Sequence, residues 1–347
     1  MTAASAAPRG RPTIIDVAAR AGVSKSLVSL ALRGSAAVAP ASREAILAAA
    51  AELGYRPNAA AQALVARSSR TVGVLVLDLH NPVFAEILDG VLAGVRARGY
   101  RTMVVTGSDA AQERPELDKL LEFRVEGLVL VSHRLDAATL RAIAAETAVV
   151  VATRRDVTGP GIDTVCTDDR AGAELAVRHL VALGHRRIAH LGGGDDPVAR
   201  DREAGYRAAM AAAGLERQIT VLPGGLDDAA GYAAARAALA QRHRPTALFV
   251  VNDFAALGAL AAVADAGLDL PGQMSVVGFD GTRLSGLRSI GLTSVAQPLA
   301  DIGRLAAERL FDRIDGRRTR ARHTVLPAAL VERATTAPPR RPTTTVG

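Results

Sequence analysis

From residue 71 to about residue 333, the chain alternates short apolar runs with amphipathic stretches long enough to be helices. The runs of the first series include VGVLVLD, YRTMVVTG, GLVLVS and AVVVAT, and a second series contains IAHLGG, LFVVND and MSVVGFDG. Continuous apolar strands that are each followed by a helix indicate parallel strands covered on both faces. The alternation therefore predicts an α/β body made of two parallel-sheet subdomains.

The predicted body divides roughly into two subdomains, and the chain passes between them three times. We assign residues 71–167 plus 295–325 to the first subdomain and residues 168–294 plus 326–333 to the second. Residues 1–12 and 334–347 are rich in small, polar and proline residues. We expect both of these segments to be disordered tails.

Polar side chains follow several predicted strands. They are Asp78 and Asn81 after the first strand, Asn252 and Asp253 after LFVV, Asp280 after SVVGF, and Arg202 at the start of the helix after the glycine loop. Ligands of open α/β sheets bind beyond the carboxyl ends of the strands. Carboxylates, a carboxamide and a guanidinium can pair with vicinal hydroxyls, which predicts a polyhydroxylated effector. Each residue alone could equally cap a helix or form a turn.

The first seventy residues have a different, helical pattern. In TIIDVAARAGVSKSLVSLALRG, Thr13 and the aspartate three residues later have the spacing of a capping box. Gly22 permits a tight left-handed turn, and Ser24 is a good N-cap for a second short helix. A third helix is predicted from Pro40 to Gly54. This spacing predicts an all-α helix-turn-helix head over residues 13–56.

The second helix of such a head enters the major groove of DNA, with its N-terminal residues nearest the base edges. The predicted DNA-binding residues of the head are Thr13, Ser24, Lys25, Ser26, Ser29 and Leu30. Lys25 can donate to guanine or to phosphate, and Ser26 can donate or accept. Any alanine-rich helical hairpin can imitate part of this pattern, but the caps, the glycine turn and the apolar register agree here.

Charge is concentrated at the two ends of the chain. The net charge is +7, of which residues 1–70 carry +6 and residues 317–347 carry another +6, so the segment between them carries −5. A basic head and an acidic body suit a protein whose head binds the phosphate groups of a nucleic acid. The C-terminal arginine run is equally well described as a solvated basic tail.

Catalytic, metal and membrane functions have little support in the sequence. The single cysteine, Cys166, cannot form an internal disulfide, and no Cys/His cluster has the spacing of metal ligands. We find no Ser/His/Asp or Cys/His arrangement for catalysis. No apolar stretch is long enough for a signal peptide or a membrane span. We therefore expect a cytoplasmic, nucleoid-associated protein that is not an enzyme and needs no metal or cofactor.

The head resembles the LacI/GalR repressors, whose heads follow the pattern T-I-x-D-V-A-x-x-A-G-V-S-x-x-x-V-S. The resemblance implies that Lys25, Ser26 and Leu30 occupy the positions that determine DNA specificity. It also implies that residues 57–70 form a hinge helix that folds on operator DNA. In that hinge Asn58, Gln62 and Leu64 match DNA-binding positions, Gln62 replaces an arginine of many relatives, and Leu64 matches a leucine that wedges into the minor groove.

The body resembles the effector domain that this family shares with periplasmic sugar-binding proteins. The similar segments include LDLHNPVFAEILDGV, TDDRAGAELAVRHLVALGHRRIAHLGG and SVVGFDG. The resemblance implies that Arg202, Asn252 and Asp280 contact the effector and that Phe84 and Thr153 line the opposing wall. Leu226 stands where several sugar-responsive relatives stack an aromatic ring.

Together these features predict a homodimeric transcriptional repressor that binds a palindromic operator in double-stranded DNA and is controlled by a small polar effector, a sugar or a polyol. Two other classes share parts of the pattern: a solute-binding protein of a transporter, and an enzyme such as a sugar kinase or dehydrogenase. The direction of control stays open, because a corepressor of a non-sugar pathway could act through the same machinery.

Overall fold

The structure is a computed structural model that describes residues 12–56, 68–107, 110–157, 159–317 and 320–340. The chain separates into two compact units, Met1–Ser69 and Arg70–Gly347. The first unit is called the head and the second the body.

Three helices form the described part of the head, and each begins where the sequence supplies a suitable residue. They are α1 (Ile14–Ala21), α2 (Lys25–Leu32) and α3 (Pro40–Glu52). The Thr13 hydroxyl accepts from the backbone N–H of Asp16, whose carboxylate accepts in return from the N–H of Thr13 at 2.7 Å. Gly22 turns the chain with φ of 66°, and the Ser24 hydroxyl caps α2. The predicted helix-turn-helix is confirmed.

One apolar side chain from each helix forms the centre of the head. Val17, Val28 and Ile46 are fully buried against one another's helices. The Arg43 guanidinium adds polar ties, because it donates to the carbonyl oxygens of Ala31 and Ser35. This small core holds α2 with its outer face toward solvent.

The body contains two six-stranded sheets. The strands are β1 (Thr71–Val76), β2 (Arg101–Thr106), β3 (Gly127–Val131), β4 (Ala148–Ala152), β5 (Ile162–Thr167), β6 (Ile188–Leu191), β7 (Thr220–Leu222), β8 (Ala247–Val250), β9 (Ser275–Asp280), β10 (Thr293–Ala296), β11 (His323–Leu326) and β12 (Ala329–Val331). The strand order is β11-β5-β4-β3-β1-β2 in the first sheet and β12-β10-β9-β8-β6-β7 in the second.

Helices connect most successive strands along the chain and cover the faces of the sheets. They are α4 (Pro82–Ala97), α5 (Ala110–Glu122), α6 (Ala137–Glu146), α7 (Asp169–Ala182), α8 (Pro197–Ala212), α9 (Asp228–Leu239), α10 (Asp253–Asp265) and α11 (Leu299–Ile314), with a short 3-10 turn at Glu216–Gln218. Within the described ranges, none of these helices has the length and apolar character needed to cross a membrane.

Parallel pairing holds for every strand except the last. All neighbours in the first sheet are parallel, and β6 to β10 are parallel in the second. The edge strand β12 runs antiparallel to β10. The central strands β1 and β3 are buried along their entire length, as covered parallel strands require. The predicted two-sheet α/β body is therefore confirmed, with one antiparallel edge.

The chain passes from one subdomain to the other after β5, after β10 and after β11. The predicted boundary between residues 294 and 295 falls inside β10, which pairs with β9 over its whole length. Helix α11 then returns to the first subdomain and packs on α4 at two glycines. A Cβ atom on Gly90 would lie 2.2 Å from the carbonyl oxygen of Ala300, and one on Gly303 would lie 2.0 Å from that of Ile87.

The segment 334–340 corrects the prediction of a disordered C-terminal tail. Thr335 is buried: its hydroxyl donates to the carbonyl oxygen of Val276 at 2.7 Å and accepts from the N–H of Thr293. The carbonyl oxygen of Ala337 lies 2.9 Å from the buried ring of His185. Threonine side chains thus satisfy the sheet's backbone groups, which composition alone does not reveal. Residues 341–347 lie outside the described residues.

The lone cysteine packs as predicted. Cys166 lies on β5 and is buried. Burial raises the pKa of its thiol to about 12, since the thiolate would lose its hydration. Cys166 is therefore a core residue and not a reactive group.

Candidate functional site

The outer face of α2 carries the predicted base-reading residues. Lys25 and Ser26 are exposed in its first turn, and Ser29 is half-buried one turn later. Leu30, also on this face, is 36 % exposed. A cation, a hydroxyl and an apolar side chain on one accessible helix face can together contact phosphate, base edges and a thymine methyl group.

Two of the predicted DNA-binding residues have a structural task as well. The Thr13 hydroxyl is engaged in the capping box of α1, and the Ser24 hydroxyl accepts from the N–H of Leu27 at 3.2 Å. Asn58, Gln62 and Leu64 of the predicted hinge lie outside the described residues.

A cavity of about 60 Å³ lies in the body, at the carboxyl ends of strands from both sheets. It is lined by Leu77, Asn81, Val83, Phe84, Ser132, Thr153, Asp196, Val198, Ala199, Arg202, Leu226, Val251, Asn252, Asp280 and Gln297. Both apolar side chains and polar or charged side chains line the cavity. Such a combination suits a ligand that has both hydroxyl groups and a carbon face.

Six of the eight predicted effector residues line this cavity. They are Asn81, Phe84, Thr153, Arg202, Asn252 and Asp280. Helix α8 begins at Pro197, so Arg202 lies in its second turn and not at its start as the sequence suggested. Leu226 also lines the cavity, at the point where the resemblance placed an aromatic ring in relatives.

Asp78 and Asp253 are not among the lining residues. The Asp78 carboxylate accepts from the backbone N–H of His80 and contacts its ring at 2.8 Å, which fixes the turn after β1. The buried Asp253 carboxylate accepts from the N–H and hydroxyl of Thr282 and from the hydroxyl of Ser294. Both carboxylates therefore stabilise loops beside the cavity through hydrogen bonds.

Arg202 is the centre of the charged part of the wall. Its guanidinium donates to Asp169 at 2.9 Å and to the carbonyl oxygen of Val251 at 2.7 Å, and it lies 3.2 Å from an oxygen of Asp280. The group also lies 3.8 Å above the ring of Phe279. These contacts hold a buried cation in one orientation, with N–H groups left for a ligand.

Burial dominates the ionisation of these groups. It raises the pKa of Asp280 to about 7, although Arg202 acts in the opposite direction. It likewise raises the pKa of Asp169 to about 6. Burial disfavours the Arg202 cation too, but Asp169 and Asp280 together keep the pKa of Arg202 above its ordinary value. The guanidinium therefore stays charged while its carboxylate partners bind protons close to neutral pH.

Strained backbone occurs around the same cavity. Ser132, Thr153 and Asp280 line it and have φ of 57°, 77° and 114°, a region that residues with a side chain rarely adopt. The Thr153 hydroxyl oxygen is buried and has no hydrogen-bond partner among the residues that the structure describes. Strained backbone and an unpaired buried hydroxyl around one cavity are typical of a binding site.

Two amides in the wall are held at helix N-termini. The Asn81 side-chain oxygen accepts from the N–H of Val83, and that of Asn252 accepts from the N–H of Ala255 at 2.7 Å. The Asn252 amide nitrogen also donates to the carbonyl oxygen of Leu226 at 2.9 Å. Capping therefore fixes both amides in place and sets the direction of their remaining donors.

The sequence analysis missed three polar residues of the wall: Ser132, Asp196 and Gln297. The Gln297 amide donates to Asp280 at 2.7 Å, and the Asp196 carboxylate caps α8. Ser132 follows β3 and Gln297 follows β10, so the strand-end rule applied to every strand would have found both. Asp196 lies in a loop, where only its position before Pro197 marks a helix start.

Both parts of the chain are similar to known proteins. Residues 13–58 match the model for bacterial regulatory proteins of the lacI family, and residues 177–336 match that for the periplasmic binding protein-like domain. The chain is 33% identical over 308 residues to the HTH-type transcriptional repressor PurR of Aliivibrio fischeri strain MJ11, covering 87% of this chain and 91% of that protein. The chain belongs to the lacI family.

Further relatives agree with this lacI-family assignment. The ribose operon repressor of Haemophilus influenzae is 32% identical over 326 residues, covering 92% of this chain and 97% of its own length. A crystal structure of the lac repressor dimer bound to operator and the anti-inducer ONPF superposes with a TM-score of 0.84 at 30% identity, covering 94% and 100% of the two chains. The protein is thus a DNA-binding transcriptional repressor with an effector-binding body, and the prediction that it is not an enzyme is confirmed.

Proposed function

We propose that this lacI-family repressor binds a palindromic operator as a homodimer and that a small sugar or polyol in the body controls its affinity for DNA. The observation that carries the ligand part is the convergence of Asn81, Arg202 and Asp280 in one cavity that apolar side chains also line. Amide, guanidinium and carboxylate groups together match the paired donors and acceptors of vicinal hydroxyls. The name of the ribose operon repressor points to the same class of ligand.

The DNA part of the proposal rests on the exposed face of α2. One such helix covers only a few base pairs, so a second copy related by a two-fold axis is needed for a specific site. The lac repressor relative was crystallised as a dimer on operator. We propose that Lys25, Ser26, Ser29 and Leu30 read each half-site and that Leu64 from the two copies meets at the operator centre.

Coupling between ligand binding and DNA binding requires two arrangements of the body. The ligand must bind one arrangement more tightly than the other, and so must DNA. The cavity is lined from both subdomains, so a ligand there favours one relative position of the two sheets. We propose that this position determines whether the hinges of a dimer can pair on DNA.

Selection of binding sites from a random duplex pool by the full-length protein tests the DNA part. The expected result is an enriched inverted repeat with a fixed spacing between half-sites. Enrichment of no motif, or of a single unrepeated half-site, contradicts the proposal.

A matched pair of lysine variants then tests whether Lys25 contacts the DNA. Lys25→Ala is expected to weaken binding to the selected site by about ten- to a hundredfold. Lys119→Ala, which removes the only other lysine of the sequence, is expected to leave that affinity unchanged. Equal affinities for the two variants would remove Lys25 from the recognition surface.

A further inference from the structure

Five arginines lie in three neighbouring loops at the amino edge of the second sheet. The loops precede β6, β7 and β8 and cover residues 183–187, 213–219 and 240–246. Strand β6 pairs in parallel with both β8 and β7, so the three loops lie at one edge and within about 10 Å of one another. The five side chains are exposed and form what we call the arginine surface: Arg186, Arg187, Arg217, Arg242 and Arg244.

The positive charge of the arginine surface is not neutralised by nearby carboxylates. Glu216 is the only acidic residue of the three loops, and Asp269, in the loop before β9, lies 2.5 Å from Arg340 and is already paired. None of the five guanidiniums forms an ion pair in the ranges that the structure describes. Arg187 donates to the carbonyl oxygen of Arg244 at 3.0 Å, which holds two of the loops together. Like charges held this close repel one another until an anion binds.

The chemistry of the arginine surface fits the phosphates of double-stranded DNA. Guanidinium groups bind phosphate through paired hydrogen bonds. Single-stranded nucleic acids also require aromatic side chains for base stacking, and a membrane surface requires exposed apolar side chains. The three loops contain no Phe, Tyr or Trp, and the exposed large apolar side chains of the described residues all lie elsewhere. Charge without stacking or apolar contact is how proteins bind duplex DNA without sequence preference.

The arginine surface lies far along the body from the point where the chain enters it. The body begins at Arg70, directly before β1, and thus at the amino edge of the first sheet. The cavity is lined by residues at the carboxyl ends of strands from both sheets. The amino edges of the two sheets therefore lie on opposite sides of the cavity, one at the entry of the chain and the other at the arginine surface.

We propose that the arginine surface binds the phosphates of a second segment of double-stranded DNA, without sequence preference, while the head is bound to operator. The body is then a second DNA-binding site of this lacI-family repressor, and one molecule can bridge two duplexes. This activity goes beyond the proposed control by a sugar or polyol and requires no effector.

A two-duplex binding assay with the full-length protein tests the proposal. The selected operator duplex is immobilised and saturated with protein, and a labelled duplex without the operator sequence is added at about 50 to about 200 mM salt. The wild-type protein is expected to capture the labelled duplex. The logarithm of its association constant is expected to fall against the logarithm of the salt concentration with a slope of about −4, as neutralisation of four to five phosphates requires. No capture by the wild-type protein overturns the proposal.

A matched pair of double variants assigns the capture to these residues. Arg186→Gln with Arg242→Gln removes two charges of the arginine surface. Arg96→Gln with Arg141→Gln is the control, because it removes two exposed arginines of α4 and α6 that make no ion pair with any described residue. The first double variant is expected to weaken capture at least about tenfold and to reduce the salt slope by about 2, with an unchanged operator Kd. The control is expected to behave as wild type.

Two results for the double variants would overturn the proposal. One is equal capture by both of them. The other is a loss of operator affinity in Arg186→Gln with Arg242→Gln, which would show that these arginines serve the fold or the head.

Competition identifies the class of polyanion. Single-stranded oligouridine and phosphatidylserine vesicles, at equal concentrations of negative charge, are expected to displace the labelled duplex less well than unlabelled duplex does. Displacement as strong as that by duplex overturns the assignment to double-stranded DNA. Every outcome leaves the proposed response to a sugar standing, because the assay contains no effector.

Discussion

The Asp280 carboxyl is buried with Arg202, Asp169 and Asp253, and burial raises its pKa from 3.8 to about 7. Between these two values the folded chain retains a proton that the unfolded chain has released. The free energy of unfolding therefore decreases as pH rises through this range and levels off above about 7. Buried His190, whose pKa is lowered to about 4, contributes the opposite slope at acidic pH.

A comparison with Asp280→Asn isolates this contribution, because the other titrating groups are common to both proteins. From about pH 5 to about pH 8, the wild-type protein is expected to lose more stability than the variant. Urea denaturation at a series of pH values measures the difference. Parallel stability curves for the two proteins would contradict the assigned ionisation.

Individual site residues were predictable to different degrees. Asp280 is the last residue of β9, Asn252 lies two residues after β8 and Asn81 lies in the loop after β1, and the carboxyl ends of parallel strands meet at one edge of a sheet. Asp253 obeys the same rule, yet its side chain turns to Thr282 and Ser294. Position along the chain predicts which edge a residue occupies, and tertiary contacts decide where its side chain points.

At the scale of single elements, the turn between α1 and α2 depends on local chemistry. Gly22 supplies the left-handed turn, and Ser24 caps α2. Ser24→Ala is expected to reduce the free energy of local opening of α2 by about 1 kcal/mol, because an N–H at the helix start loses its acceptor. Amide hydrogen exchange of peptides from residues 14–32 in the full-length protein measures this change.

Ser26→Ala is the control for this prediction. Ser26 is exposed in the first turn of the same helix, and the cap of α2 comes from Ser24. Alanine is a better helix former than serine, so this variant is expected to exchange at the wild-type rate or more slowly. Equal acceleration of exchange in both variants would show that the cap is not the stabilising group.

Elements that are marked by their own residues were predictable, and elements that depend on partners distant in the sequence were not. The caps and turns of the head predicted its three helices, and the apolar runs predicted the central strands. Strand β12 is only three residues long, and its antiparallel direction depends on pairing with β10. The segment 334–340 has a loop-like composition and is ordered through contacts such as that of Thr335 with Val276.

At the scale of the whole molecule, three passages of the chain between two sheets create a cavity with walls from both subdomains. Glycines at the contact of α4 and α11 allow the returning helix to pack closely on the first subdomain. A ligand that bridges the two walls therefore acts on the relative position of two packed units. This is the physical basis of the proposed control of the head by a small molecule.

The most direct test is the affinity of the full-length protein for its selected operator, measured by fluorescence anisotropy with and without the sugar that binds by calorimetry. The sugar is expected to change the operator Kd of the wild-type protein by about tenfold or more. Asp280→Asn is expected to bind the operator normally and to show no such change. The central claim is that a ligand in the cavity controls the affinity for DNA. An operator Kd of the wild-type protein that is the same with and without bound sugar would contradict it.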